Sequence, residues 1–107
     1  METIMTKHVV LVQMKPELSQ SEIDHVFAEL SGLQQSIPGI VSFSWGVQSS
    51  PEGLDRGYTH AFVIDFEDAA ARNAYLPHPE HQRVAGQVLV PALQNGVDSV
   101  LVFDYDA

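Results

Sequence analysis

Three short runs, HVVLV (8–12), HAFVI (60–64) and SVLVF (99–103), restrict what this chain can become more than any other feature. Each is rich in β-branched or aromatic residues and reads as a strand. A strand with a core on one side and water on the other alternates apolar with polar residues. These runs are apolar on both alternating faces, so both faces of their sheet need cover. At 107 residues the chain has room for a single core. Its helices suffice for one face. The other face calls for a partner, and the simplest is a second copy packed through the sheet face about a two-fold axis.

The order of elements follows from the punctuation. HVVLVQMK (8–15) is a strand that stops at Pro16. Ser19 with Glu22 forms a capping box, which satisfies orphan N–H groups at a helix start. Ile23, Val26, Phe27, Leu30 and Leu33 then form one apolar stripe, and Pro38-Gly39 lies beyond its end. His25 falls off the stripe and is expected to face solvent. VSFSWGVQ (41–48) alternates, with Val41, Phe43, Trp45 and Val47 on one face. Turn chemistry over 49–57 leads to a further strand, YTHAFVIDFE (58–67). Asp68 caps a short helix that Pro77 ends. A second helical piece starts at HPEH, with Pro79 in its first turn, meets a break near Pro91 and closes at Asn95-Gly96. VDSVLVFDY (97–105) is the last strand. The result is a single α+β domain over 1–107 with residues 1–6 as a disordered tail. Its order is β-α-β-β-α-β, ferredoxin-like, with a four-stranded antiparallel sheet and helices on one face. Paired through its sheet, it makes a dimeric α+β barrel.

Charge excludes some partners. The net charge is −9, and Lys7, Lys15, Arg56, Arg72 and Arg83 are scattered. Phosphate backbones and anionic membranes require a basic footprint, so neither nucleic acid nor a membrane surface is an expected partner. The chain has no cysteine. That removes disulfides, zinc–thiolate sites and thiol nucleophiles together and suits the cytoplasm. METIMTKH has no apolar core, so no signal peptide is expected.

The polar groups within this apolar frame are the candidates for chemistry. Alternation puts His8 on one face with Val10 and Val12, and His60 on one face with Phe62 and Ile64. If both faces point to the helices, the two histidines are expected to lie near each other at one mouth of the core. The joint YLPHPEH (75–81) adds Tyr75, His78 and His81. Each histidine also has a structural reading, as a half-buried residue bonded to backbone. His78 in particular is placed to cap the second piece of helix. His78 and His81 with Glu80 between them are metal-type ligands, but no HExxH pattern is present, so no dedicated metal site is expected, only incidental metal pick-up. The acid/base reading has Tyr75 orienting or protonating an oxygen and His81 as the general base. Apolar walls would admit a small hydrophobic ligand. GxSxG, P-loop and GxGxxG patterns are absent, which argues against hydrolase, NTPase and dinucleotide chemistry.

With these residues in place, the chain resembles the stress-responsive α/β-barrel family, the Dabb domain. The resemblance runs from KHVVLVQMK to VLVFDY and rests on His8, IPGIVSFSWG (37–46), EGLDRGYTHAFVIDFE (52–67) and YLPHPEH. It implies a ferredoxin-like monomer and a homodimer. Its members include plant stress-associated proteins and a cofactor-free plant polyketide cyclase that closes its ring by an aldol-type condensation. By that resemblance Tyr75 and His81 match the catalytic tyrosine and acid/base histidine, and His8 and His60 match pocket histidines. The expectation is thus a small homodimeric stress-response domain with a pocket between sheet and helices. The alternative is a cofactor-independent cyclase, isomerase or lyase using Tyr75 and His81. An antibiotic-biosynthesis-type monooxygenase shares the barrel architecture and stands as fold analogy only.

Overall fold

Ser19 starts the first helix as its sequence requires. Its hydroxyl accepts from the Glu22 N–H, and the Glu22 carboxylate accepts from the Ser19 N–H at 2.9 Å. In the computed structural model, which describes residues 4–107, this helix is α1 (Gln20–Ser36). It follows β1 (Thr6–Val12) and precedes β2 (Ile40–Val47), β3 (His60–Phe66), α2 (Ala69–Tyr75), α3 (Pro79–Val84) and β4 (Val100–Asp106). The four strands form one antiparallel sheet in the order β2-β3-β1-β4. This is the α+β, β-α-β-β-α-β arrangement with a split second helical element.

Val26, Phe27, Leu30 and Leu33 of α1 bury against the sheet residues Val10, Val12, Phe62, Ile64 and Phe66. Fully burying each such side chain contributes about 1.5–3 kcal/mol. His25 is exposed, as its place off the stripe requires. After α1 the chain turns at Gly39, whose φ is +94°. A Cβ there would stand 2.6 Å from the Ala71 Cβ of α2, so only glycine admits this approach of turn and helix.

The start of β1 corrects the expected tail. Thr6 is buried, and Met5 exchanges backbone hydrogen bonds with Ala107 at 2.9 Å each way. Residues 1–3 of that tail lie outside the described residues. Strand β2 differs from strict alternation too. A register irregularity between Ile40 and Ser42 takes Val41 out of the row that Phe43 and Trp45 share, and Ile40 packs on the core instead. Val41 and Val47 are exposed. The second helical element loosens earlier than Pro91. A π turn spans Ala85–Leu89, and a 3-10 turn carries Pro91, whose missing N–H stops a regular helix there.

The face turned away from the helices is laid out in three rows by the register. Gly46, Ala61, Leu11 and Leu101 form the first; Ser44, Val63, Val9 and Phe103 the second; Ser42, Asp65, Lys7 and Tyr105 the third. Leu101, Phe103 and Tyr105 are 41%, 63% and 47% exposed. The two-faced apolar strands therefore leave an uncovered apolar sheet face in the single chain. None of the described helices is long and apolar enough to cross a membrane.

Candidate functional site

Antiparallel pairing decides which histidines meet. In the β1–β3 register His8 lies opposite Ile64, and His60 opposite Val12. The two share the helix-side face but sit at opposite ends of it, roughly 13 Å apart at about 3.4 Å rise per residue. The expected convergence of His8 and His60 at one mouth is thus overturned. Histidines near the starts of neighbouring strands come together only when those strands are parallel.

His8 has different company. Its Nδ1 donates to the Asp104 carboxylate at 2.8 Å, and the other oxygen of Asp104 accepts from Arg72 at 2.9 Å. The carboxylate can only accept here, so Nδ1 carries the proton. The His8 ring lies edge-on to Tyr75, centroids 5.9 Å apart, and Tyr75 lies 4.2 Å from the His81 ring. A continuous line thus runs Arg72–Asp104–His8–Tyr75–His81. Asp104 and Arg72 are the members that sequence reasoning missed. The fold makes β4 a neighbour of β1, but only the register of that pairing puts Asp104 opposite His8.

The local sequence builds the joint that carries Tyr75 and His81. Asp68 caps α2 through the Ala71 N–H at 2.8 Å. His78 caps α3, its Nδ1 accepting from the Glu80 N–H at 3.1 Å, and Pro79 follows in the first turn. His78 is therefore placed as the residue that sets the turn. His81, one turn on, donates from Nδ1 to the Leu76 carbonyl at 2.9 Å. A carbonyl only accepts, so the proton sits on Nδ1 and Nε2 is left as the free basic position. Burial lowers the His81 pKa. The Leu76 carbonyl opposes that shift, while His8 and His78 add to it.

Tyr75 is 1% exposed, and burial raises its pKa, so its phenol stays protonated. Its hydroxyl makes no hydrogen bond within the described chain. No fully sealed side-chain polar atom among the described residues lacks a partner, so that hydroxyl retains a trace of access. Beside this site, on the same side of the sheet, Val102 stays 53% exposed because the helices do not cover the middle of β4. Among the described residues no three His, Asp or Glu side chains converge as a metal site would require.

His60 belongs to an aromatic cluster instead. It stacks on Phe27 at 5.7 Å, and Phe27 stacks on Trp45 at 4.2 Å with an interplanar angle of 2°. Its Nδ1 shares a 2.8 Å hydrogen bond with Thr59, and burial lowers its pKa. His60 also borders a cavity of about 430 Å³ at the β2–β3 end of the sheet. Leu11, Ser44, Ala61 and Val63 of the outer face line it, with Leu54 and Tyr58 of the 48–59 loop. Tyr75, His81 and His8 do not border it. Between sheet and helices, Met14, Phe27, Phe62 and Leu89 are buried and fill the place where a wide pocket was expected.

A ferredoxin-like α+β domain with a tyrosine–histidine pair at the break in its second helical element defines the class. The sequence profile described as the stress responsive A/B barrel domain, Dabb, matches residues 6–107, and the chain belongs to that family. The stress-response A/B barrel domain-containing protein HS1 of Arabidopsis thaliana is 35% identical over 92% of this chain and 86% of its own length. Olivetolic acid cyclase of Cannabis sativa is 26% identical over 92% of this chain and 93% of its length. Among solved structures, a dimeric ferredoxin-like protein of unknown function from Jannaschia sp. CCS1 superposes with a TM-score of 0.82. It is 34% identical and covers 96% of this chain and 99% of its own. The hydroxynitrile lyase of Passiflora edulis gives 0.84 at 26% identity, covering 99% and 95%.

Proposed function

We propose that this protein is a cytoplasmic homodimer, joined through its sheet face, that handles a small apolar molecule by acid/base chemistry at Tyr75 and His81. The observation that carries the chemistry is the His81 hydrogen bond to the Leu76 carbonyl, which leaves Nε2 as the basic atom beside a protonated phenol. A lowered pKa keeps the imidazole neutral near pH 7, the form that a general base needs. Nε2 would take a proton from an O–H or C–H of the ligand. The Tyr75 hydroxyl would donate to the oxygen on which charge develops. His8, held by Asp104 and Arg72, would fix the Tyr75 ring from the far side. Half-exposed Val102 offers an apolar wall at the β4 edge. Relatives described as a cyclase and a hydroxynitrile lyase support a reaction of this kind. The dimer is supported by the open apolar sheet face and by the relative described as dimeric.

The test is proton exchange, which needs no knowledge of the product. Small carbonyl compounds are incubated with the protein in heavy water, and exchange of the proton next to the carbonyl is followed by NMR. His81→Ala is expected to lower the rate roughly 100-fold. Tyr75→Phe should lower it less. A rate indifferent to His81, or no exchange across the set, would overturn the catalytic reading. One observation favours a second reading, a non-catalytic dimeric domain: the packed side chains of Met14, Phe27, Phe62 and Leu89 leave little room beneath the helices, which weakens binding there as well as catalysis. Neither binding nor exchange of the same compounds would select it.

A further inference from the structure

We propose that Asn95-Gly96 is a site of covalent self-modification, where the chain deamidates through a succinimide and isomerises its own backbone. The chain holds two asparagines, and their settings differ. Asn73 lies inside α2 and is followed by Ala74, and its side-chain oxygen accepts from Arg72 at 3.0 Å. Asn95 is exposed and is followed by glycine, and its side-chain amide has no hydrogen bond among the described residues.

The reaction needs only water. The Gly96 nitrogen attacks Cγ of Asn95, a C–N bond forms, and the Cγ–N bond of the side-chain amide breaks. Ammonia leaves with the proton of the Gly96 N–H, and a succinimide ring remains. Water then opens the ring at either carbonyl. One opening gives aspartate. The other gives isoaspartate, in which the main chain runs through the side-chain carbonyl. A Cβ on the following residue crowds this attack, and glycine has none. In the fold Asn95 stands at φ −132° and ψ 37°, which turns the Gly96 nitrogen away from the side chain. Ring closure therefore requires the peptide between them to flip, changing ψ of Asn95 and φ of Gly96 together. Gly96 sits at φ +57°, and a Cβ there would have no atom within 4 Å, so neither its own conformation nor its surroundings resist the flip. The bond that the flip breaks, from the Asp98 N–H to the Asn95 carbonyl, is long at 3.2 Å.

The product matters because this turn is clamped at both ends. The Gln94 N–H donates to the Gln13 carbonyl at 2.9 Å, and the Gln13 N–H donates to the Ser99 carbonyl at 3.0 Å. Ser99 is fully buried, and its hydroxyl accepts from the Asn95 N–H at 2.8 Å. Isoaspartate inserts an extra backbone carbon between these anchors, just ahead of β4, and loosens the start of that strand. Aspartate inserts none and leaves the clamp intact.

The test incubates the whole protein in mildly alkaline buffer, folded or unfolded in urea, and maps its peptides by mass spectrometry. Isoaspartate is assayed separately, by methyl transfer from an isoaspartyl methyltransferase. In the folded protein, conversion of amide to carboxylate is expected at Asn95 and not at Asn73, with isoaspartate among the products. Gly96→Ala should slow it roughly tenfold, and Asn95→Gln should stop it over the same interval. The isoaspartyl form is expected to unfold at lower urea than the wild type, while Asn95→Asp matches the wild type. An Asn95 left intact in the folded protein overturns the proposal, whether or not the urea-unfolded chain converts. Conversion of Asn73 at an equal rate overturns it too. An isoaspartyl form as stable as Asn95→Asp overturns the loosening of β4.

Discussion

His8 and His60 each stand near the start of their strands, on the same face of one sheet, and their surroundings share almost nothing. His8 is hydrogen-bonded to a carboxylate that an arginine holds, and its ring abuts Tyr75. His60 lies among the rings of Phe27 and Trp45, and among the described residues its ring hydrogen-bonds only with the Thr59 hydroxyl. One end of the core is wired by polar contacts, and the other is packed by stacked rings. Residue type and face of the sheet are the same at both ends. Register makes the difference, because antiparallel pairing gives His8 the end of β4 and the helix break, and gives His60 the loop and α1.

That contrast predicts unequal responses to substitution. The largest is expected at the packed end. Phe27 is fully buried between Trp45, His60 and Phe62, so Phe27→Ala should cost about 3–5 kcal/mol in urea unfolding. An intermediate effect is expected at the wired end. Asp104→Ala removes the acceptor of both His8 and Arg72 in a part-buried setting and should cost about 1–3 kcal/mol. The two sites are far enough apart for these costs to add within about 0.5 kcal/mol in the double variant. A strong coupling between them would mean that the two ends are one unit. Smaller still is Tyr75→Phe. The phenol oxygen has no partner within the described chain, so stability should move by no more than about 0.5 kcal/mol while the exchange activity falls. A large loss of stability would show that the hydroxyl serves the core and not a ligand.

Much of this contrast was legible in the residues, and the missing part has a physical cause. Ser19 with Glu22, Asp68, and His78-Pro79 mark three helix starts correctly because caps are local chemistry, decided within four residues. The uncovered face was legible because period-two patterning needs only the strand itself. The pairing of His8 with Asp104 was not, since it spans 96 positions and depends on register. The same holds for the separation of His8 from His60, and for Val41, which one irregularity removes from its row. Tyr75 and His81 were legible as a pair because one short joint carries both. The Leu76 carbonyl that selects the tautomer was not, because it depends on the backbone path through that joint.

The finest distinction between the two ends is their pH response. Burial lowers the pKa of both His60 and His81 in the folded protein. The unfolded chain, with ordinary histidines near 6.5, then binds protons first as pH falls. Each residue therefore contributes stability that is fully present above about pH 6.5 and is lost as pH drops through the lowered folded value. Unfolding midpoints at pH 7.5 and pH 5 measure the sum. His60→Gln and His81→Gln separate the parts, and each should flatten the pH dependence. At His60 burial is the only cause, so added salt should leave its share unchanged. At His81 the neighbouring charges of His8 and His78 also act, and salt screens charges. A share from His81 that shrinks with salt, beside one from His60 that does not, would separate the wired end from the packed end. Equal salt responses at the two would mean that burial alone sets both.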